Sequence, residues 1–240
     1  MELNLGVVIL NIYAVITADV VDSRENEILK NKEYSNTKEY LDKKINELNL
    51  KLEMNNLGIL SRVSTSRGDE IQVVCKDLKQ LPVLMRWLRF FCLPLKLRIG
   101  IGIGSIEYFS TINGYDNNPL YNDSWDMNGE AFYLARKALN SLKEEKDIAT
   151  CIRLEEEYNT VVLQTIYDLI DGYMKRWTIS QWKSIHAYSE NDTYDYAAKE
   201  LAISATGVYK NCYSANWKLV NKAEENLAYI LDTMQSKIME

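Results

Sequence analysis

Two aspartates, Asp19 and Asp69, occupy positions where carboxylates can do more than solvate a surface. Asp19 closes a long apolar run that begins near Val7, and Asp69 ends the polar link Thr65-Ser66-Arg67-Gly68-Asp69 between two short apolar runs. Two carboxylates brought close repel each other, and a divalent cation removes that repulsion while bridging to phosphate oxygens. Mg²⁺, or Mn²⁺ in its place, is the natural occupant, because hard cations take oxygen ligands and work with one or two carboxylates plus phosphates. Gly68 would allow close backbone approach, and amides in the turn after Asp19, near Ser23 and Arg24, would cradle phosphate. Glu70 and Gln72 point along the hairpin, either as further ligand contacts or as polar residues at the core edge. A plainer alternative stands beside this one: a turn aspartate commonly bonds its own backbone, and a strand-end aspartate is commonly solvated.

The elements that must position these residues follow from periodicity. Val7 to Ile16 is β-branched and too apolar for an exposed edge, so it predicts a central strand running into Asp19. Ile28, Tyr34, Leu41, Ile45, Leu48 and Leu52 recur at helical spacing, which predicts a helix over about 25–55, broken near Ser35-Asn36 and stopped by Asn56 and Gly58. Ile59–Ser64 and Glu70–Cys75 read as a hairpin. Leu78 to Phe91 is an amphipathic helix, and Leu95 to Gly104 alternates as a strand whose glycines let a helix or ligand approach closely. Gly129–Lys143 is a further helix and Ile148–Leu154 a further strand. This βαββαβ order predicts an α+β fold with a ferredoxin-like palm sheet over residues 1–155. Beyond residue 155 only helical patterns remain, so 156–240 is expected to be an all-α domain.

Composition excludes several classes. The charge of −6 gives no global field toward nucleic acid or anionic membrane. Four scattered cysteines and one histidine, His186, cannot form a clustered zinc site, and reduced thiols are expected. His186 has no partner at catalytic spacing and is expected at the surface or a helix end. The run from Leu5 to Val21 lacks a basic flank and contains Asn11 and Asp19, so it reads as a buried strand, and the protein is expected in the cytoplasm.

Four segments occur in order: Ala18-Asp19-Val20-Val21-Asp22-Ser23-Arg24, Gly68-Asp69-Glu70-Ile71-Gln72, Arg98 to Gly104, and Asn128-Gly129-Glu130-Ala131 continuing to Ala135-Arg136-Lys137-Ala138. Together they resemble the SatD family of bacterial proteins and, more distantly, class III nucleotide cyclases and GGDEF domains, over most of residues 7–145. The resemblance implies a palm with Asp19 and Asp69 at the positions of the cyclase metal-binding aspartates. The departures weigh against catalysis. The asparagine and arginine that stabilise the cyclase transition state fall on Tyr133 and Lys137, the purine-selecting lysine on Thr65, and the first GGDEF glycine on Arg67. Arg136 or Lys137 would neutralise charge on a phosphate, or both are ordinary helix charges.

Thr193 to Asn211 carries Ala198, Leu201, Ile203 and Val208 at the spacing of a helix-turn-helix core, spanning about 193–218. Ser204 would cap the second helix and expose Thr206, Tyr209, Lys210 and Asn211 to DNA. Such a motif is also typical of SatD-like chains. Against DNA binding, residues 156–240 hold eight Lys/Arg against twelve Asp/Glu, a net of −4. Three readings therefore stand together. One is a nucleotide- and Mg-binding regulator that engages DNA or a partner. The second is a cyclase or nucleotidyltransferase, with a homodimer implied by the cyclase likeness. The third is a non-catalytic scaffold.

Overall fold

β1 (Tyr13–Val20) forms the centre of a five-stranded sheet in the computed structural model, which describes residues 11–21, 36–66, 68–108, 122–143 and 149–239. The N-terminal part of the predicted strand, the helix expected over 25–35, and Ser23 and Arg24 lie outside these residues. β3 (Ile71–Cys75) and β4 (Leu97–Gly104) flank β1 and run antiparallel to it. β2 (Ser64–Thr65) extends the sheet beyond β3, and β7 (Thr150–Arg153) lies parallel to β4. The order β2-β3-β1-β4-β7 is that of the expected palm with one strand appended.

Each face of the sheet is covered for a reason visible in β1. Ala14, Ile16, Ala18 and Val20 point into the main core, shared with α1 (Thr37–Asn55) and α2 (Leu81–Phe91). Asn36 caps α1 by accepting from the Glu39 amide at 2.9 Å, and Asn56 ends it in the left-handed conformation at φ 47. On the other face Val15 packs with Ala131 and Ala135 of α3 (Glu130–Ser141). The β4 glycines permit this contact. A Cβ at Gly102 would stand 2.1 Å from the Ala131 carbonyl oxygen, and one at Gly100 2.4 Å from that of Ala135. Of the helix or ligand that the sequence allowed, a helix takes the space.

The expected strand over 59–64 is interrupted. Ile59 bridges Cys75, the chain then bulges, and pairing resumes only at Ser64. Side chains replace the missing ladder: Ser61 Oγ accepts from the Val74 amide at 3.0 Å, and the Asn49 amide holds both backbone groups of Val63 at 2.8 and 2.9 Å. A two-stranded ribbon of β5 (Glu107–Tyr108) and β6 (Met127–Asn128) leads into α3. The β7 edge is closed by Gln164, which accepts from Ile152 N at 2.8 Å and donates to Thr150 O at 2.9 Å, as a neighbouring strand would.

Gln164 belongs to α4 (Glu157–Met174), the first of five C-terminal helices, followed by α5 (Ile179–Asn191), α6 (Tyr194–Leu201), α7 (Ala205–Ser214) and α8 (Trp217–Met239). The main core continues from the sheet into these helices without a break. Two arginines of α2 cross the junction. Arg86 binds Glu224 of α8 at 3.0 Å with both side chains 6% exposed, and Arg89 pairs with Asp171 of α4 at 2.6 Å. Gln235 of α8 accepts from Leu78 N and donates to the carbonyls of Ile12 and Lys76, fastening the last helix to the sheet. Among the described residues no helix is long and apolar enough to cross a membrane.

Candidate functional site

The antiparallel register fixes what stands beside Asp19. Thr17 pairs with Gln72 and Gly100, and Asp19 pairs with Arg98. Alternation puts Thr17, Asp19, Gln72, Arg98 and Gly100 on the face that Val15 and α3 share. Extending the β1–β3 register beyond Ala18 and Ile71 places Glu70 next to Asp19. The result is a polar strip along one end of the sheet. It begins at Ser64, Gln72 and Thr17, all buried, and emerges at the partly buried Glu70, Asp19 and Arg98.

Asp19 is held as a fork. Its Oδ1 accepts from Arg98 Nε at 2.8 Å and its Oδ2 from Arg98 Nη2 at 3.1 Å, with the side chains 15% and 27% exposed. Such bidentate pairs fix the guanidinium in plane as well as in position. Arg98 Nη1 has no hydrogen-bond partner among the described residues, so the fork leaves one edge of the guanidinium unused. Thr17 Oγ1 reaches Glu70 Oε1 at 3.5 Å. Gln72 Oε1 is buried and has no hydrogen-bond partner among the described residues. Asp123, which caps a short 3-10 turn before β6, accepts from Ser64 Oγ at 3.0 Å and so closes the strip at its inner end.

The sequence-predicted residues fall into separate groups. Asp19 and Glu70 are neighbours across strands. Asp69 is in the turn one position further on, off the alternation that aligns Asp19 with Glu70. Gly68 has no left-handed φ, and a Cβ there would meet only Ser66 Oγ at 3.8 Å, so the turn itself does not require glycine. Arg136 and Lys137 are both exposed on α3. Arg136 follows Phe132 by one turn, and Phe132 packs on the Val15–Val74 cluster, so Arg136 lies on the side overlooking β1 and β3. Lys137 follows Tyr133, which is 67% exposed, and so points outward. Thr65 faces α1 instead, within hydrogen-bond reach of Lys38 at 2.5 Å and Asp42 at 2.6 Å.

The fit of a divalent cation can be judged from the donors. The carboxylates are suitably hard ligands, yet both oxygens of Asp19 already carry the Arg98 fork. Among the described residues no three His, Cys, Asp or Glu side chains are grouped to hold a metal. As arranged, Mg²⁺ or Mn²⁺ at Asp19 would have to displace the Arg98 fork.

In the C-terminal helices, α6 ends at Ala202 in the left-handed conformation at φ 53, and Ser204 Oγ caps α7 by accepting from Gly207 N at 3.0 Å. Thr206 and Lys210 are exposed. Asn211 turns inward, donating to Ser184 Oγ at 2.9 Å, and Tyr209 sets its ring edge against Tyr194. Ser204 and Asn211 are therefore spent within the protein.

His186 corrects the expectation of a surface position. It is 9% exposed and stacks on Phe90 at 3.9 Å, with Trp87 and Phe91 edge-on. Burial, reinforced by the charges of Arg86 and Lys51, pushes its pKa down to about 3, so the ring is neutral. The four cysteines are free, and burial pushes the Cys75 and Cys92 thiols up to about 12.

The residue that sequence reasoning passed over is Arg98. It was visible as the first residue of the glycine-rich segment, and its place on the face of Gly100 and Gly102 was implied by strict alternation. What a single sequence lacks is the β1–β4 register that sets it opposite Asp19.

Sheet order, the two crossover helices and the central hairpin define a ferredoxin-like palm with a helical extension. The chain belongs to the SatD family, whose family pattern matches residues 13–228. No curated protein matches it. Among solved structures it is similar to a bacterial light-regulated adenylyl cyclase, at 15% identity over 60% of this chain and 76% of that one, with a TM-score of 0.37. It is also similar to the adenylyl cyclase CyaB from P. aeruginosa, at 18% identity over 54% of this chain and 71% of that one, with a TM-score of 0.34.

Proposed function

We propose that the chain is a nucleotide-responsive regulatory protein. Residues 1–155 act as the ligand-binding palm unit, and residues 156–240 engage DNA or a protein partner through the helix-turn-helix at about 193–218. The observation that carries this is the Asp19–Arg98 fork at the emerging end of the polar strip. A guanidinium held by a carboxylate along one edge, with donors unused on the other, is suited to donate to a phosphate, and the fork lowers the entropy cost of ordering it. Asp19 then serves as the positioning residue for Arg98. Arg136, exposed on α3 one turn after Phe132, supplies a second positive charge in this reading, and Glu70 accepts from ribose or base.

Because Asp19 is engaged, the first contact with phosphate falls to Arg98 rather than to a metal, and dependence on Mg²⁺ or Mn²⁺ becomes a quantity to measure. The exposed Tyr133 and Lys137 do not favour transition-state chemistry, so ligand sensing is preferred to catalysis. Thermal unfolding with a panel of nucleoside mono-, di- and triphosphates, each with and without Mg²⁺, tests the proposal. A ligand at a hundred times its dissociation constant adds ~2.7 kcal/mol. The absence of any shift at millimolar concentrations would leave only the scaffold role.

A further inference from the structure

A groove of about 1720 Å³ separates the α1–α2 face of the palm from α5, α6, α7 and the start of α8. Pockets for drug-sized ligands enclose about 300–1,000 Å³, so this one has room for more than a mononucleotide. One wall is a continuous run of tyrosine rings. Tyr188 stacks on Tyr194 at 4.5 Å, Tyr194 meets Tyr209 edge-on at 5.6 Å, and Tyr209 lies nearly parallel to Tyr213 at 5.9 Å. Tyr209 and Tyr213 are 47% and 73% exposed, which leaves aromatic surface open.

Lys218 and Lys222 line the same groove one helical turn apart on α8. Among the described residues Lys222 pairs with exposed Glu225 alone, and Lys218 has no ion-pair partner. Glu190, also on the groove lining, is turned inward, with Oε2 on Lys51 at 2.7 Å and Oε1 3.7 Å from His186 Nε2, so it does not oppose the lysines. Rings that stack any base beside lysines for phosphate make up a single-strand binding surface.

We propose that this groove binds single-stranded nucleic acid, with unpaired bases stacking on Tyr209 and Tyr213 and phosphates meeting Lys218 and Lys222. This rests on assigning the helical unit to nucleic acid, and it changes which form is bound. A helix that reads a duplex must project into a major groove about 12 Å wide. Here the tyrosine side of α7 faces a concavity, and Ser204 and Asn211 are engaged within the protein.

The test titrates the full chain with a labelled 12-mer of oligothymidylate, a duplex of the same length, and thymidine monophosphate. Anisotropy and the fluorescence of Trp87 and Trp217, which line the groove, are the readouts. The single strand should bind best. Tyr209→Ala and Tyr213→Ala should each weaken it about 5- to 150-fold, while the Phe variants retain binding. Two phosphate contacts predict a log–log salt slope of about −1.4, falling by about 0.7 in Lys218→Ala. Duplex binding without strand binding overturns the inference and leaves the DNA arm of the proposed function standing. Absence of binding to any oligonucleotide overturns both, and strand binding unchanged in the Ala variants overturns the groove as its site. Circular dichroism of each variant separates lost binding from lost fold.

Discussion

Acidification should destabilise the junction between palm and helices through His186, by an amount set by its cage. The ring is neutral in the folded chain, with a pKa near 3, because burial between Phe90, Phe91 and Trp87 and the charges of Arg86 and Lys51 oppose protonation. Glu190 approaches Nε2 at 3.7 Å, but its other oxygen is bound to Lys51 at 2.7 Å, so its charge is already matched. In the unfolded chain the imidazole titrates near 6.5. Between these values the unfolded state binds more protons, so stability falls as pH drops below about 6.5 and the loss is complete near pH 3. From neutral pH to pH 5 the loss is about 2 kcal/mol, from ~1.4 kcal/mol per pH unit over about one and a half units. Urea denaturation of the wild type and His186→Phe at pH 7 and pH 5 checks this, since the variant keeps the ring stack and removes the titration. The wild type should lose about 2 kcal/mol more than the variant across that interval. Equal losses, or an imidazole resonance titrating near pH 6.5 in the folded protein, would refute the reasoning.

Two further perturbations probe the frame around the site. Gly102→Ala puts a Cβ against the α3 backbone and should cost about 1–3 kcal/mol or more in chemical denaturation. Glu224→Ala leaves Arg86 buried without its carboxylate and should cost roughly 3–5 kcal/mol, whereas replacing both partners with Met and Leu should recover most of the loss.

The palm was legible because its elements differ in period. The β-branched β1, the glycine-alternating β4 and the 3.6-residue spacing of α1 each announce their type, and their order leaves few topologies. The bulge over 60–63 was not legible, because Asn49 and Asn122 from other parts of the chain hold it, and its own Ser61 bonds across to Val74. His186 was misplaced for a related reason. Its cage is built by α2, a hundred residues away in sequence, and nothing local to α5 signals it. Asp19 was recognised from its strand end, but its partner depended on cross-strand register, and that pairing changes the chemistry offered there from an open carboxylate to a positioned guanidinium.

The central claim is that Arg98, held by Asp19, receives the phosphate of a nucleotide. Isothermal titration calorimetry of the wild type, Arg98→Ala and Asp19→Asn, with the nucleotide giving the largest thermal shift, tests it most directly. Loss of a charge-assisted hydrogen bond predicts roughly ten- to a hundredfold weaker binding in Arg98→Ala, with Asp19→Asn intermediate. Equal affinity in all three proteins, with and without Mg²⁺, would contradict it.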